Sequence, residues 1–203
     1  MRSVLLNCVV NRRRLPAWRF AAVILAAAAA AGSSSSVIAC GLEATIKGGF
    51  KVSHPRSLDV AVAVANARRD GLLPPASANS PSNNVLLRLM IADIRRMESR
   101  LKNGRSALAK DSAAPFSLVL VGPGLWSHFH LASGGVLTRY HVDGPLAGKP
   151  VVLTHHVVLK ALLDGSLAPK QAAEQGLLIF AGENTLPVQQ VFRQGFQSYT
   201  KHG

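Results

Sequence analysis

Three histidines, His128, His130 and His141, fall within the stretch "LWSHFHLASGGVLTRYHV" (125–142), beside Trp126 and Arg139. Two His two positions apart on a strand, with a third across a hairpin, have the spacing of a metal site, because imidazoles about 7 Å apart at Cβ can share a Zn²⁺ or Cu²⁺ bonded at roughly 2 Å. If the hairpin turns at Ser133-Gly134, His128 faces Arg139, His130 faces Leu137 and Trp126 faces His141. Strict alternation then puts Leu125, Phe129, Leu131, Val136, Tyr140 and Val142 on a core face, and Trp126, His128, His130, Leu137, Arg139 and His141 on the other. The second face admits three uses: a metal site, a solvated surface, or a cationic mouth holding an anionic head group. Arg139 opposite His128 repels a cation, and the hairpin offers no carboxylate or Cys as a further ligand.

Other chemistry is sparse. His155-His156 stands where a helix begins, and the positive end of the helix dipole disfavours imidazolium there. The chain has no Gly-x-Ser-x-Gly elbow, Walker loop, CxxC or HExxH, and Asp59, Asp93 and Asp143 form no evident carboxylate pair. No nucleophile–base constellation is visible, so the expectation is a protein that is not an enzyme and carries no cofactor.

The elements that must position these residues lie downstream of an N-terminal segment of different character. Arg2, Arg12, Arg13, Arg14 and Arg19 precede "FAAVILAAAAAAG" and then "SSSSVIAC". A basic stretch, a short apolar run and a small-residue exit have the order of an export signal, expected over 1–39. The apolar run is about thirteen residues, short of the roughly 20 that span a bilayer. Val37-Ile38-Ala39 before Cys40 suits a signal peptidase and also a lipoprotein box, in which Cys40 would carry the lipid. Either way the expected location is the periplasm or cell envelope. Cys8 would leave with the signal, so no internal disulfide is possible in the remainder.

The chain has 203 residues and a net charge of +13; five of its 23 Lys and Arg precede residue 40 and all ten acidic residues follow it, so the remainder is still basic. The charges are spread out and interleaved with few aromatics. That disfavours nucleic acid as a partner and suits an anionic membrane surface or an acidic ligand.

Hydropathy periodicity organises 40–203. "SLDVAVAVANARRDG" (57–71) reads as a largely buried helix with Ser57 as cap and Gly71 as stop. After a Pro/Ser/Asn linker near 74–84, residues 85–104 form an amphipathic helix with the stripe Leu86, Met90, Ile94, Met97 and Leu101, closed by Gly104 at C′. From Pro115 the period changes to two. Strands are expected over 116–121, 125–131, 136–142, 151–154 and 177–182, with helices over 155–165, from Pro169 to Gly176, and over 184–199. The fold class expected is α+β: N-terminal helices over 40–110, then over 111–203 a four- to five-stranded, mostly antiparallel sheet packed by helices.

One stretch has a recognisable grammar: "VVLTHHVVLKALLDGSLAPKQAAEQGLLIFAGENTLPVQQVF" (151–192) runs strand, helix, Gly-x-Leu-x-Pro, Ala-rich helix and a hydrophobic strand closing on Gly-Glu. Through Leu153-Thr154, Leu162-Leu163, Gly165, Leu167, Pro169, Ala172-Ala173, Gly176, Ile179 and Gly182 it resembles the C-terminal half of a sterol-carrier-protein-2-like (SCP2) domain. The resemblance implies helices packed on a sheet around an apolar space for a lipid or acyl chain. Phe129, Tyr140, Leu163 and Phe180 are the candidate apolar lining, and His128, His130, Arg139 and His141 the candidate head-group or metal residues. The function expected is therefore a non-catalytic binding protein for an apolar or acylated small molecule at the cell envelope. The alternatives are a periplasmic metal-binding protein using the His cluster, and an accessory interaction domain docking through the helix at 85–104.

Overall fold

A computed structural model of the chain describes residues 52–77, 82–105, 114–132 and 135–197. The export signal at 1–39, Cys40 and the boundary between 110 and 111 lie outside these residues. The described elements belong to one compact unit and are, in chain order, α1 (Ser57–Arg69), α2 (Asn83–Gly104), β1 (Ala114–Val121), β2 (Leu125–Ala132), β3 (Gly135–Val142), β4 (Val151–His155), α3 (His156–Asp164), α4 (Pro169–Glu174), β5 (Leu178–Ala181) and α5 (Leu186–Gln197). The fold is α+β.

The five strands form one sheet in the order β3-β2-β1-β4-β5. Every neighbouring pair is antiparallel except β1 and β4, which run parallel. A parallel pair needs a long connection, and here the hairpin β2–β3 and the loop at 143–150 supply it.

Alternation gives the sheet two faces. Phe116, Leu118, Leu120, Phe129 and Leu131 point to the side packed by α2 and α5, as ring contacts from Phe116 to Phe192 and the bond from Tyr140 to Glu98 fix. Val119, Val121 and Leu153 point the other way and are still fully buried. Helix α1 covers them, packing on β1 and β4 with Val60, Val64 and Ala67 buried. The sheet is thus a middle layer, which explains why β1 and β4 are apolar throughout.

Several local expectations are corrected. Ser57 is not the cap of α1 but its first residue, where its hydroxyl accepts from the His54 N–H at 3.0 Å. Helix α1 buries one face only, for Leu58 and Val62 are exposed. Gly104 does not close α2 by its conformation; it is buried inside the helix end, and a Cβ there would strike the Val191 carbonyl and the Gly195 backbone of α5. Gly195 meets Arg100 of α2 in the same way. The two glycines let α2 and α5 cross with their backbones in contact. The Thr154 hydroxyl donates to the Leu177 carbonyl at 2.9 Å, tying β4 to the segment before β5, and His155 caps α3.

Candidate functional site

The hairpin pairing holds as the alternation requires from Ser127↔Tyr140 through Leu131↔Val136, with His128 opposite Arg139 and His130 opposite Leu137. It then breaks. Trp126 pairs with Val142, a register shift between Trp126 and Ser127 that leaves His141 as the extra residue of a β-bulge, at φ 55°. The expected pairing of Trp126 with His141, and the placing of all three histidines on one face, are therefore corrected. A single inserted residue ends the alternation, and bulges are common on edge strands, where β3 lies.

The second face is also less open than expected. Trp126 is buried. His128 donates from Nε2 to the Gly144 carbonyl at 2.7 Å, and the Leu146 N–H donates to the Ser117 hydroxyl beside it at 2.8 Å. These bonds pin the loop at 143–150 across that face. His130, Leu137 and Arg139 stay exposed, so the four candidate head-group or metal residues are split between a loop anchor, a bulge and a solvated edge. Among the described residues no cluster of three or more His, Cys, Asp or Glu could hold a metal ion.

The four apolar candidates are also dispersed. Phe129 is fully buried and stacks on Phe116 at 4.9 Å between centroids. Leu163 is buried in α3. Tyr140 is half-buried, donates to Glu98 Oε2 at 2.7 Å and lies under the Arg95 guanidinium. Burial works against the Glu98 charge, but bonds from Lys102 and Tyr140 outweigh it and hold the carboxyl below its usual range. Tyr140 thus fastens β3 to α2 through a polar contact.

Phe180 borders an open concavity. This cleft, about 420 Å³, lies beside β5 between α4 and α5, within the range of small-molecule sites. Leu178, Ile179 and Phe180 of β5, Pro169 and Ala173 of α4, and Phe192 of α5 supply its apolar surface. Phe180 meets Phe192 edge to face at 5.4 Å, and Phe192 meets Phe116 at 6.0 Å, so an aromatic chain runs from the cleft into the sheet as far as Phe129. The rim is polar: Arg56, Lys170 and Arg193 against Glu174, with Gln189 between. Asp59 engages Arg56 at 3.0 Å, and Glu174 stands 3.8 Å from Lys170.

Sequence reasoning missed Phe192 and the rim cations. Phe192 reads as an ordinary core residue of a terminal helix. The available signal was that helices immediately precede and follow the last strand, which places both beside it.

The helix pair α2–α3 carries a second polar grouping. His156 Nε2 lies 2.9 Å from Asp93 Oδ2, Arg96 bridges Asp93 and Asp164 at 3.1 and 3.0 Å, and Lys160 reaches Asp164 at 2.8 Å. His155 next to it is largely buried. Burial first, then the nearby Arg68 and His156, lower its pKa to about 4, and its Nδ1 accepts the Val157 N–H at 3.2 Å. Both neutrality and capping position this ring as a structural part of the helix start. The stripe of α2 that an interaction surface would use is spent inward, with Met90, Ile94, Met97 and Leu101 buried and only Val85 and Leu89 exposed.

No protein-family model and no curated protein matches the chain. Solved structures do. Sterol carrier protein 2 shares 16% identity over 56% of this chain and 94% of its own, with a TM-score of 0.38. The UbiJ-SCP2 ubiquinone synthesis protein shares 18% over 57% and 96%, also at 0.38. The chain resembles an SCP2-like domain. A stereoselective inverting sec-alkylsulfatase from Pseudomonas sp. shares 16% over 48% of this chain at a TM-score of 0.38, and the chain spans about 15% of that enzyme's length.

Proposed function

We propose that the chain is a non-catalytic binding protein that holds an apolar or acylated small molecule in the cleft beside β5. One observation carries the reading: half-buried Phe180, backed edge to face by the buried Phe192, borders a concavity of about 420 Å³ whose rim carries three cations. An apolar group placed there leaves water for the accessible apolar surface of Phe180 and Ala173, which is favourable by roughly 25 cal/mol per Å² removed from water. The residues that border the cleft are hydrophobes, Arg, Lys, Glu and Gln, a set suited to holding a ligand rather than to activating a nucleophile.

The setting proposed is the cell envelope after export, supported by the order of charge and hydropathy before Cys40. A basic surface there would rest easily near an anionic membrane, from which an apolar ligand is drawn.

Titration with a fluorescent fatty acid tests the reading. Saturable binding that Phe180→Glu abolishes, with the far-ultraviolet circular dichroism unchanged, is the expected result. A probe that fails to bind the folded chain rejects it.

A further inference from the structure

The cleft has an unusual wall. Leu178, Ile179 and Phe180 are consecutive strand residues, and their side chains alternate between the two faces of the sheet. A concavity on one face would touch Leu178 and Phe180 but not Ile179. All three border this one, together with α4 on one flank and α5 on the other. The cleft therefore straddles the free edge of β5, the last strand in the order β3-β2-β1-β4-β5.

An edge strand turns the N–H and C=O groups of alternate residues outward. Water can satisfy them while the cleft is empty. A purely hydrocarbon ligand laid along the edge would strip that water and offer nothing in return, which is unfavourable for each group covered. A ligand with its own amide can pair with the strand as an added strand does. The rim adds a charge requirement. Arg193 is exposed on α5, and among the described residues it has no carboxylate partner, whereas Arg56 and Lys170 have Asp59 and Glu174. The rim thus offers an anion one unclaimed guanidinium, which can bind a carboxylate in bidentate fashion.

Resting on the proposed apolar-ligand reading and sharpening it, we infer that the cleft takes an N-acylated amino acid or the acylated end of a short peptide. The acyl tail lies against Phe180, which Phe192 backs from within the core, the secondary amide pairs with the open edge of β5, and the terminal carboxylate reaches Arg193. Free N-acyl amino acids and acylated peptides share this chemistry.

Competition against a fluorescent fatty acid on the full chain tests the inference with ligands that differ in one group. N-dodecanoylglycine has all three features; N-dodecanoylsarcosine lacks the amide N–H; the glycine methyl ester lacks the charge; dodecanol has the tail alone. The glycine conjugate is expected to bind roughly three- to tenfold more tightly than the sarcosine and ester analogues, the scale of one lost neutral hydrogen bond or one solvent-exposed ion pair. Arg193→Glu is expected to weaken the conjugate and leave the ester unchanged. An N-dodecanoyl dipeptide binding more tightly than the glycine conjugate identifies an acylated peptide as the source; equal or weaker binding identifies the free amino-acid conjugate. Equal affinity for all four single-chain ligands overturns the inference while the apolar-ligand reading stands. Failure of every ligand, dodecanol included, overturns both.

Discussion

The ring of Phe180 meets the ring of Phe192 edge on, with 5.4 Å between centroids and 86° between planes. Phe180 is the half-buried partner and Phe192 the fully buried one. Their roles should separate on mutation. Phe192→Ala opens a cavity at the junction with Phe116 and Phe196 and is expected to cost about 3–5 kcal/mol in urea unfolding. Phe180→Ala is expected to cost markedly less in stability and to weaken binding of a fluorescent fatty acid about tenfold or more. Equal stability losses with unchanged probe binding would remove Phe180 from the site.

His155 sets a pH dependence. Its pKa is 6.5 in an ordinary setting and about 4 in the fold, lowered by burial and then by Arg68 and His156. Between those values the unfolded chain binds a proton that the folded chain does not. Stability from this residue is complete above about pH 6.5 and declines as the pH falls towards 4, by up to about 3 kcal/mol. His155→Asn keeps an acceptor for the Val157 N–H and has no titration in this window. Chemical denaturation between pH 7 and pH 4 should show a shallower decline for that variant than for the parent chain.

The crossing of α2 and α5 depends on Gly104 and Gly195. A methyl group at Gly195 would overlap the Arg100 carbonyl, and one at Gly104 the Val191 carbonyl. These are backbone atoms of packed helices and cannot swing aside. Gly195→Ala is expected to lower stability by about 1–3 kcal/mol or more, although Ala is the better helix former. An unchanged melting temperature would show that the helices can part without loss.

The bulge at His141 bears on metal binding. With His141 displaced from the register and His128 bonded to the Gly144 carbonyl, the two imidazoles are not set for a shared ion. Calorimetric titration with Zn²⁺ or Cu²⁺ is expected to show no affinity that His128→Ala removes. A micromolar site lost in that variant would contradict this geometry.

These features differ in how far the sequence exposes them. The stripe Met90, Ile94, Met97 and Leu101 and the alternation of 125–131 announce their burial, because period and buried face are the same information. The order of the sheet follows less directly, since the parallel pairing of β1 with β4 joins residues 34 positions apart in the sequence, as Ser117 with Val151. The bulge was illegible: one inserted residue leaves the local pattern of "LTRYHV" intact and reverses what faces what. Gly104 reads equally as a helix stop or as a close-approach residue, and only the presence of Gly195 across from it decides. The cleft was the least legible feature. Phe180 was a candidate, but Phe192, Lys170 and Arg193 come together only because α4 and α5 flank the open edge of β5.

The most direct test of ligand binding is native mass spectrometry of the full chain purified gently from cells. The expected result is a population heavier than the polypeptide by one small acylated or apolar molecule, released on denaturation and diminished in the Phe180→Glu variant. A spectrum showing only the bare polypeptide, together with no uptake of added fatty acid or acylated amino acid, would contradict the proposed function.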